Sequence, residues 1–260
     1  MSTFMRQYAR NMARVPVSTR LNAQRFACAN YRFYSEKTNY EQADQPRLRI
    51  NSSAPNFDAD TSHGKINLYD YLGDSWGILF SHPADFTPVC TTEMGAFAKM
   101  KPQFDKRGVK LLGLSVEDAE SHRKWIKDIE EINGIDKFGF PIIADTKRHV
   151  AFLYDMCDEE GFGNINDGSL TTVRSVYVID PAKKIRVIFT YPSQVGRNTA
   201  EVLRVIDALQ TADKHGVVTP GNWSPNDDVI IPPKVSDAEA SEKFGDFKTV
   251  KSYLRYTKLK

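Results

Sequence analysis

Apolar residues between positions 76 and 144 alternate between short continuous runs and stripes at helical spacing. The runs 76–80, 109–115 and 140–144 are too brief for helices, so each is predicted to be a buried strand. Between them, 90–107 and 118–132 are predicted to be amphipathic helices. Their apolar stripes are formed by Ala96, Phe97, Met100 and Phe104 in the first helix, and by Trp125, Ile126, Ile129 and Ile132 in the second.

The same alternation continues to about residue 212. A short helix is predicted over 147–154, and two β-rich runs, 173–180 and 184–191, flank the turn signal Asp180-Pro-Ala-Lys183 and are predicted to form an antiparallel hairpin. A last helix is predicted over 199–212. This order predicts an α/β fold with a mixed central sheet and helices on both faces.

The pattern changes after the last helix. Four prolines interrupt the sequence from 213 to 260, and periodic runs are few. We therefore expect a main domain over 47–212, preceded by a polar linker over 36–45, and an extended arm or small second domain over 213–260. Because the arm carries large apolar residues, it is expected to pack against a second copy in a homodimer. These residues are Trp223, Phe244, Phe247 and Tyr253.

The formal net charge of +2 hides a strong asymmetry. Residues 1–35 contain six arginines and no acidic residue, which leaves 29 Lys and Arg against 33 Asp and Glu in the remainder. A segment with spaced arginines and no acidic residues is typical of a mitochondrial transit peptide. We therefore expect import into the mitochondrial matrix and cleavage near Tyr34. The alternative, a nucleic-acid-binding arm, usually has clustered basic residues. Nothing in the negative remainder favours binding to nucleic acid, and no apolar run is long enough to span a membrane.

Three cysteines, Cys28, Cys90 and Cys157, lie 62 and 67 residues apart. This spacing offers no disulfide framework and no cysteine-based zinc site, and the five histidines show no metal-ligand spacing. Cys90 is distinctive because it is predicted to open a helix after a strand and a loop. Backbone N–H groups at a helix start favour a thiolate, yet a free cysteine is more often a small buried apolar residue. Both interpretations stay open on the residues alone.

A longer motif around this cysteine narrows the choice. Pro83-x-x-x-Thr87-x-x-Cys90, inside FSHPADFTPVCTTE (80–93), resembles the peroxidatic motif of the peroxiredoxins. The segment 173–181 resembles the family segment with the active-site arginine, and 191–198 is similar to a segment of the one-Cys branch. The resemblance implies a thioredoxin-like fold with a C-terminal arm, and thiol-dependent reduction of hydrogen peroxide and organic hydroperoxides.

The resemblance also implies a role for each residue of the site. Cys90 attacks the peroxide and becomes a sulfenic acid, while Arg174 stabilises the thiolate and orients the substrate. Thr87 holds the peroxide oxygens and Pro83 shields the sulfur from water. Three further residues are expected to line or support the pocket: Glu93, Arg197 and His82.

No cysteine follows Cys157, so the chain lacks the resolving cysteine that two-Cys members carry in the C-terminal arm. Cys157 is therefore expected to be incidental. The resemblance implies no bound cofactor and no metal. It implies instead an external reductant, which would be glutathione, thioredoxin, glutaredoxin or a related protein.

Two other functions remain as alternatives. Gly73-Asp-Ser75-Trp-Gly77 matches the G-x-S-x-G motif of serine hydrolases, and a phospholipase activity is associated with the animal one-Cys branch. This motif precedes a predicted strand, whereas a nucleophile elbow follows one, and Tyr69 and Ala182 stand where that branch has a His and an Asp. The third possibility is a non-catalytic redox chaperone, which would act independently of Cys90.

Overall fold

The computed structural model of the protein describes residues 39–259, and its main body is a seven-stranded mixed sheet. The strand order is β2-β1-β5-β4-β3-β6-β7, in which β3, β4 and β5 are parallel and the other pairings are antiparallel. The strands are β1 (Asp58–Thr61), β2 (Gly64–Asn67), β3 (Trp76–Ser81), β4 (Val109–Ser115), β5 (Ile142–Ala144), β6 (Arg174–Ile179) and β7 (Ile185–Tyr191). The helices of this body are α1 (Leu68–Leu72), α2 (Pro88–Asp105), α3 (Ala119–Asn133), α4 (His149–Leu153), α5 (Glu159–Gly163) and α6 (Thr199–His215).

The sheet separates two hydrophobic clusters, because successive side chains of a strand point to opposite faces. On β4, Leu111 joins one cluster and Leu112 joins the other. The first cluster contains residues of α2, α3 and α6 and includes Cys90, so we call its side the Cys90 face. The second contains residues of α1 and α4 and includes Tyr154, so we call its side the Tyr154 face.

The helices begin and end at residues with clear capping chemistry. Asp118 accepts hydrogen bonds from the first backbone N–H groups of α3, and Asn198 does the same for α6. Gly134 and Gly216, with φ of 61° and 65°, take the left-handed conformation that ends these helices. These caps fix α3 and α6 within three residues of the predicted bounds.

The strands, helices and hairpin predicted for the main domain are confirmed, with two corrections of detail. Helix α2 begins at Pro88, so Cys90 is its third residue and not its first. Ile132 does not belong to the buried stripe of α3, because 70% of its surface is exposed. The fully buried His122 lies on that face instead, three residues before Trp125 and seven before Ile129.

Short elements at the start of the domain were not predicted. The β1–β2 hairpin has strands of four residues, and α1 has five, which is too little for a periodic signal. The expected polar linker over 36–45 is also partly wrong, since Tyr40 is buried on the Tyr154 face and donates its hydroxyl to Lys147 O at 2.9 Å. The predicted transit peptide, 1–35, lies outside the described residues.

The C-terminal region forms a small unit of its own. Strands β8 (Val229–Ile230), β9 (Lys248–Lys251) and β10 (Leu254–Thr257) pair in the order β8-β10-β9 beside helix α7 (Asp237–Phe244). Trp223 is buried there against Val217 and Val229. Its side chain is therefore shielded from water within a single copy of the chain. Tyr253, in contrast, stays 67% exposed. Within residues 39–259, no helix has the length and apolar character needed to cross a membrane.

Candidate active site

Cys90 lies in the first turn of α2 and is completely buried. The preceding loop, residues 82–87, leads from the end of β3 into this helix. Pro88 occupies the first helical turn, where its missing N–H costs nothing. Thr87, the N-cap residue, has extended backbone and donates its hydroxyl to Ala84 O at 2.8 Å. The loop is thereby folded against itself before the helix starts.

Arg174 is the cation nearest to this sulfur among the described contacts. It begins β6, and its Nη1 lies 3.3 Å from Cys90 Sγ and 2.7 Å from Glu93 Oε2. Its Nε and Nη2 both donate to Ser193 O, at 3.0 and 2.6 Å. Only 3% of the residue is exposed. The guanidinium is therefore fixed on several sides with one N–H directed at the thiol.

Glu93 connects Arg174 to a second buried arginine. The backbone N and Nε of Arg197 donate to Glu93 Oε1 at 2.6 and 2.9 Å, and its Nη2 donates to Oε2 at 2.9 Å. Burial alone would raise the pKa of Glu93, but the hydrogen bonds and charge of Arg197, together with Arg174, outweigh it and lower the pKa. Glu93 follows Cys90 by three residues, so both lie on one face of α2.

A second polar network lies behind the 82–87 loop. Asp85 Oδ1 is 3.0 Å from His82 Nε2, and its Oδ2 is 2.7 Å from Nδ1 of His122 on α3. Ser121 donates to the same Oδ2 at 2.8 Å. The spacing of the histidines along the chain gave no sign of this contact. The place of His122 on the stripe with Trp125 was the signal that could have found it.

The sequence-predicted residues thus fall into two groups. Cys90, Arg174, Glu93 and Arg197 are joined by direct contacts. Pro83, Thr87 and His82 belong to the adjoining loop or its start, and among the described residues none of the three hydrogen-bonds to the sulfur. Pro83 and Thr87 are half-buried, whereas His82 and Cys90 are completely buried.

One trio of potential metal ligands occurs in the described part of the chain, although no metal-ligand spacing was visible in the sequence. Ligand atoms of His82, Asp85 and Glu117 lie within 4.8 Å of one another. Asp85 is already bonded to two histidines, and Glu117 Oε2 accepts from Ser115 at 2.5 Å. These contacts satisfy the carboxylates without a cation.

Cys157 lies far from this arrangement in the topology. It packs against the Tyr154 face, whereas Cys90 belongs to the opposite face. Burial, followed by the charges of nearby acidic residues including Asp155 and Asp158, raises the pKa of the Cys157 thiol to about 12. A thiol in that state is a poor nucleophile at neutral pH.

Comparison with known proteins identifies the family. Residues 50–188 match the AhpC/TSA family, and residues 208–246 match the C-terminal domain of 1-Cys peroxiredoxin. The first match alone spans more than half of the chain. The chain belongs to the peroxiredoxin family. It is accordingly a thiol peroxidase, an oxidoreductase of antioxidant defence, and neither alternative function receives support.

Several peroxiredoxins are similar over most of their length. The mitochondrial peroxiredoxin PRX1 of Saccharomyces cerevisiae is 76% identical over 85% of this chain and 85% of its own. The 1-Cys peroxiredoxin A of Oryza sativa is 49% identical over 82% of this chain and 99% of its own. The closely similar yeast protein is mitochondrial, which agrees with the transit-peptide prediction at the level of the organelle.

Solved structures confirm the thioredoxin-like peroxiredoxin fold. One is a structure of the yeast mitochondrial 1-Cys peroxiredoxin, described as the structural basis of its thiol resolving mechanism via glutathione/thioredoxin systems. It has a TM-score of 0.76 and 76% sequence identity, and the match covers 82% of this chain and 100% of that chain. A cysteine-to-serine mutant of peroxiredoxin 6 from Arenicola marina has a TM-score of 0.77 at 40% identity, with 82% and 98% covered. The mixed sheet, its flanking helices and the C-terminal region therefore belong to a known arrangement.

Proposed function

We propose that Cys90 is the peroxidatic cysteine of this peroxiredoxin. Its thiolate forms a bond to the terminal oxygen of a hydroperoxide as the O–O bond breaks, which yields Cys90 sulfenic acid and an alkoxide or hydroxide. The leaving oxygen takes a proton and departs as alcohol or water. Sulfur is oxidised by two electrons and the peroxide is reduced by two.

The observation that carries this proposal is the Arg174 N–H 3.3 Å from a fully buried Cys90 Sγ. A fixed cation beside a sulfur at a helix start stabilises the thiolate over the thiol. Glu93 and Arg197 hold Arg174 in place, so this stabilisation needs no rearrangement when peroxide arrives.

The remaining site residues are proposed to act from the 82–87 loop. Thr87, at the start of α2, holds the peroxide oxygens in line with the sulfur, and Pro83 screens the thiolate from water. His82 is proposed to line the pocket, because it is buried at the end of β3 next to this loop. All three residues belong to the segment 80–93, which resembles the peroxidatic motif of the family.

We further propose that an external thiol reduces the sulfenic acid. A disulfide requires the two Cα atoms within about 7 Å, and the sheet stands between Cys90 and Cys157. Glutathione can condense with the sulfenic acid to a mixed disulfide and water, after which a second thiol releases Cys90 and forms a disulfide with the first. The yeast relative's glutathione/thioredoxin systems support this choice of reductant.

The proposed location is the mitochondrial matrix, reached through a transit peptide over 1–35, and the proposed assembly is a homodimer. The edge position of β7 in the sheet supports a second copy, because an edge strand presents unpaired backbone groups. The exposed Tyr253 in the C-terminal arm supports it as well. The division into domains 47–212 and 213–260 stays a proposal, although α6 continues to His215.

Peroxide consumption by the purified protein tests this function, with glutathione and thioredoxin supplied separately. Cys90→Ser should abolish turnover with either reductant. The matched variant Cys157→Ser should keep most of it, because that thiol lies on the other face of the sheet. Substantial turnover by Cys90→Ser would overturn the assignment.

A further inference from the structure

The buried pair of Asp85 and His122 has a protonation state that its neighbours determine. Nε2 of His122 lies 3.0 Å from Ile143 O, and a carbonyl oxygen only accepts, so this nitrogen carries a proton. Its Nδ1 lies 2.7 Å from Asp85 Oδ2. If that carboxyl is ionised, Nδ1 must donate as well, and the ring is then an imidazolium.

The contacts of Asp85 favour the ionised form. Its two oxygens face His82, His122 and the hydroxyl of Ser121, which are all able to donate. Burial would raise the pKa of Asp85, but the hydrogen bonds from His122 and His82 outweigh it, and the pKa is lowered. The other carboxylate of this region, Glu117, is occupied by Ser115.

We infer that His122 is a positively charged positioning residue that holds the 82–87 loop through Asp85. Asp85 stands in the middle of that loop, and His122 is anchored at its other nitrogen to β5. The ion pair therefore ties the loop that enters α2 to the sheet. This inference rests on the proposed function, since it assigns to the loop a role in presenting peroxide to Cys90.

Helix α3 contacts the same region at two further points. Trp125 Nε1 donates to Thr91 Oγ1 at 3.1 Å, and Thr91 in turn donates to Thr87 O at 2.8 Å. The Trp125 ring also lies 4.9 Å from the His82 ring, measured between centroids. The charged contact at Asp85 is therefore accompanied by two contacts of Trp125, three residues further along the same helix.

The pair also determines the tautomer of His82. Nε2 of His82 donates to the carboxylate, whereas its buried Nδ1 has no hydrogen-bond partner among the described residues that could accept a proton. Burial also lowers the pKa of His82, so the ring keeps a proton only on Nε2. His82 is thereby neutral while His122 is charged. The two buried histidines consequently differ in the number of ring protons, which is measurable.

The ¹⁵N chemical shifts of the imidazole nitrogens test the charge directly in protein labelled with ¹⁵N-histidine at pH 7. His122 should show two protonated nitrogens, and His82 should show one protonated and one bare nitrogen. Assignment uses the loss of signals in His122→Gln. A bare nitrogen on His122 would overturn the inference, and this result does not depend on peroxidase activity.

Kinetics test the positioning role. His122→Gln, which is neutral, should lower the rate of Cys90 oxidation by peroxide about tenfold or more, because small displacements of positioning groups are costly. The rate at which iodoacetamide alkylates Cys90 in this variant should change less than about twofold, because Arg174, which stabilises the thiolate, is unchanged. Asp85→Asn should act alike, and the double variant should be no slower than the slower single one. His149→Gln, on the opposite face, is the matched control and should leave both rates unchanged.

Two kinetic results would contradict the inference. One is a peroxide rate of His122→Gln close to that of the unmodified protein. The other is a parallel loss of peroxide and iodoacetamide reactivity, which would indicate general disruption of the fold. Failure of the proposed function looks different, because the unmodified protein would then not consume peroxide although the histidine spectrum could still show the charge.

Discussion

Glu93 offers a sharp test of the arginine network, because one carboxylate stands between two guanidinium groups that are almost fully buried. Glu93 is 4% exposed, Arg174 3% and Arg197 7%. Glu93→Gln keeps the shape of the side chain and removes its charge. The two buried guanidinium groups then lose the carboxylate that lies between them.

The expected loss of stability is large. Removing one partner of a buried ion pair typically costs about 3–5 kcal/mol, since the remaining charge is desolvated and unpaired. A domain of this size shifts its melting temperature by about 2–4 °C per kcal/mol, so Glu93→Gln should melt about 6–20 °C lower. The partly exposed pair of Glu201 and Arg204 supplies the control, because Glu201→Gln should cost less than about 1 kcal/mol.

The pH dependence has a definite sign. Because the pKa of Glu93 is lowered below its ordinary value of 4.5, its charge stabilises the fold above that value and ceases to do so as the pH falls through the folded-state pKa. The difference between the original protein and Glu93→Gln should therefore be full at pH 7 and shrink in acid. Glutamine has no such titration.

Urea unfolding at fixed protein concentration measures this difference at pH 7 and pH 4. Arg197→Met in the Glu93→Gln background should recover part of the lost stability, since it removes one of the two buried cations that have lost the carboxylate. A loss below about 1 kcal/mol at pH 7 would refute the reasoning, because a surface pair would behave that way. An equal or larger loss at pH 4 would refute the assigned pH dependence.

Other parts of the structure give further expectations. Tyr40→Ala should lower the free energy of unfolding by about 3 kcal/mol through lost burial, measured by urea unfolding, and a loss near zero would show that the 39–48 segment is not anchored. In native Cys90→Ser protein, iodoacetamide at pH 8 should label Cys157 slowly because its pKa is raised to about 12, and rapid labelling would contradict that environment. Trp223→Ala should expose the C-terminal arm to limited proteolysis while the main domain resists, and an unchanged digest would argue against a small separate core.

The sequence predicts the main architecture because its strands and long helices have strong periodicity and clear caps. Shorter elements escaped, such as the β1–β2 hairpin, because four residues cannot establish a period. Ile132 was misplaced since periodicity gives the direction of a stripe but not its width. His122, on the same helix, was overlooked because the role of a polar residue on a buried stripe becomes clear only when its hydrogen-bond partner is known.

The site depends on contacts that are distant in sequence. Arg174 and Glu93 are 81 residues apart, and Arg197 and Glu93 are 104 apart, so only the resemblance to a family brought them together beforehand. Asp85 and His122 are 37 residues apart, and no sequence motif predicts their contact. Such pairings follow from how β3, α2 and α3 pack, which local patterns do not determine.

The central claim is that one cysteine, Cys90, reacts with peroxide and is resolved by an external thiol. Intact-mass measurement after one equivalent of peroxide tests it most directly. We expect oxygen adducts of about +16 or +32 Da without a thiol, and an adduct of about +305 Da when glutathione is present, all absent in Cys90→Ser. A dominant species of about −2 Da that disappears in Cys157→Ser would instead show an internal disulfide and contradict the account.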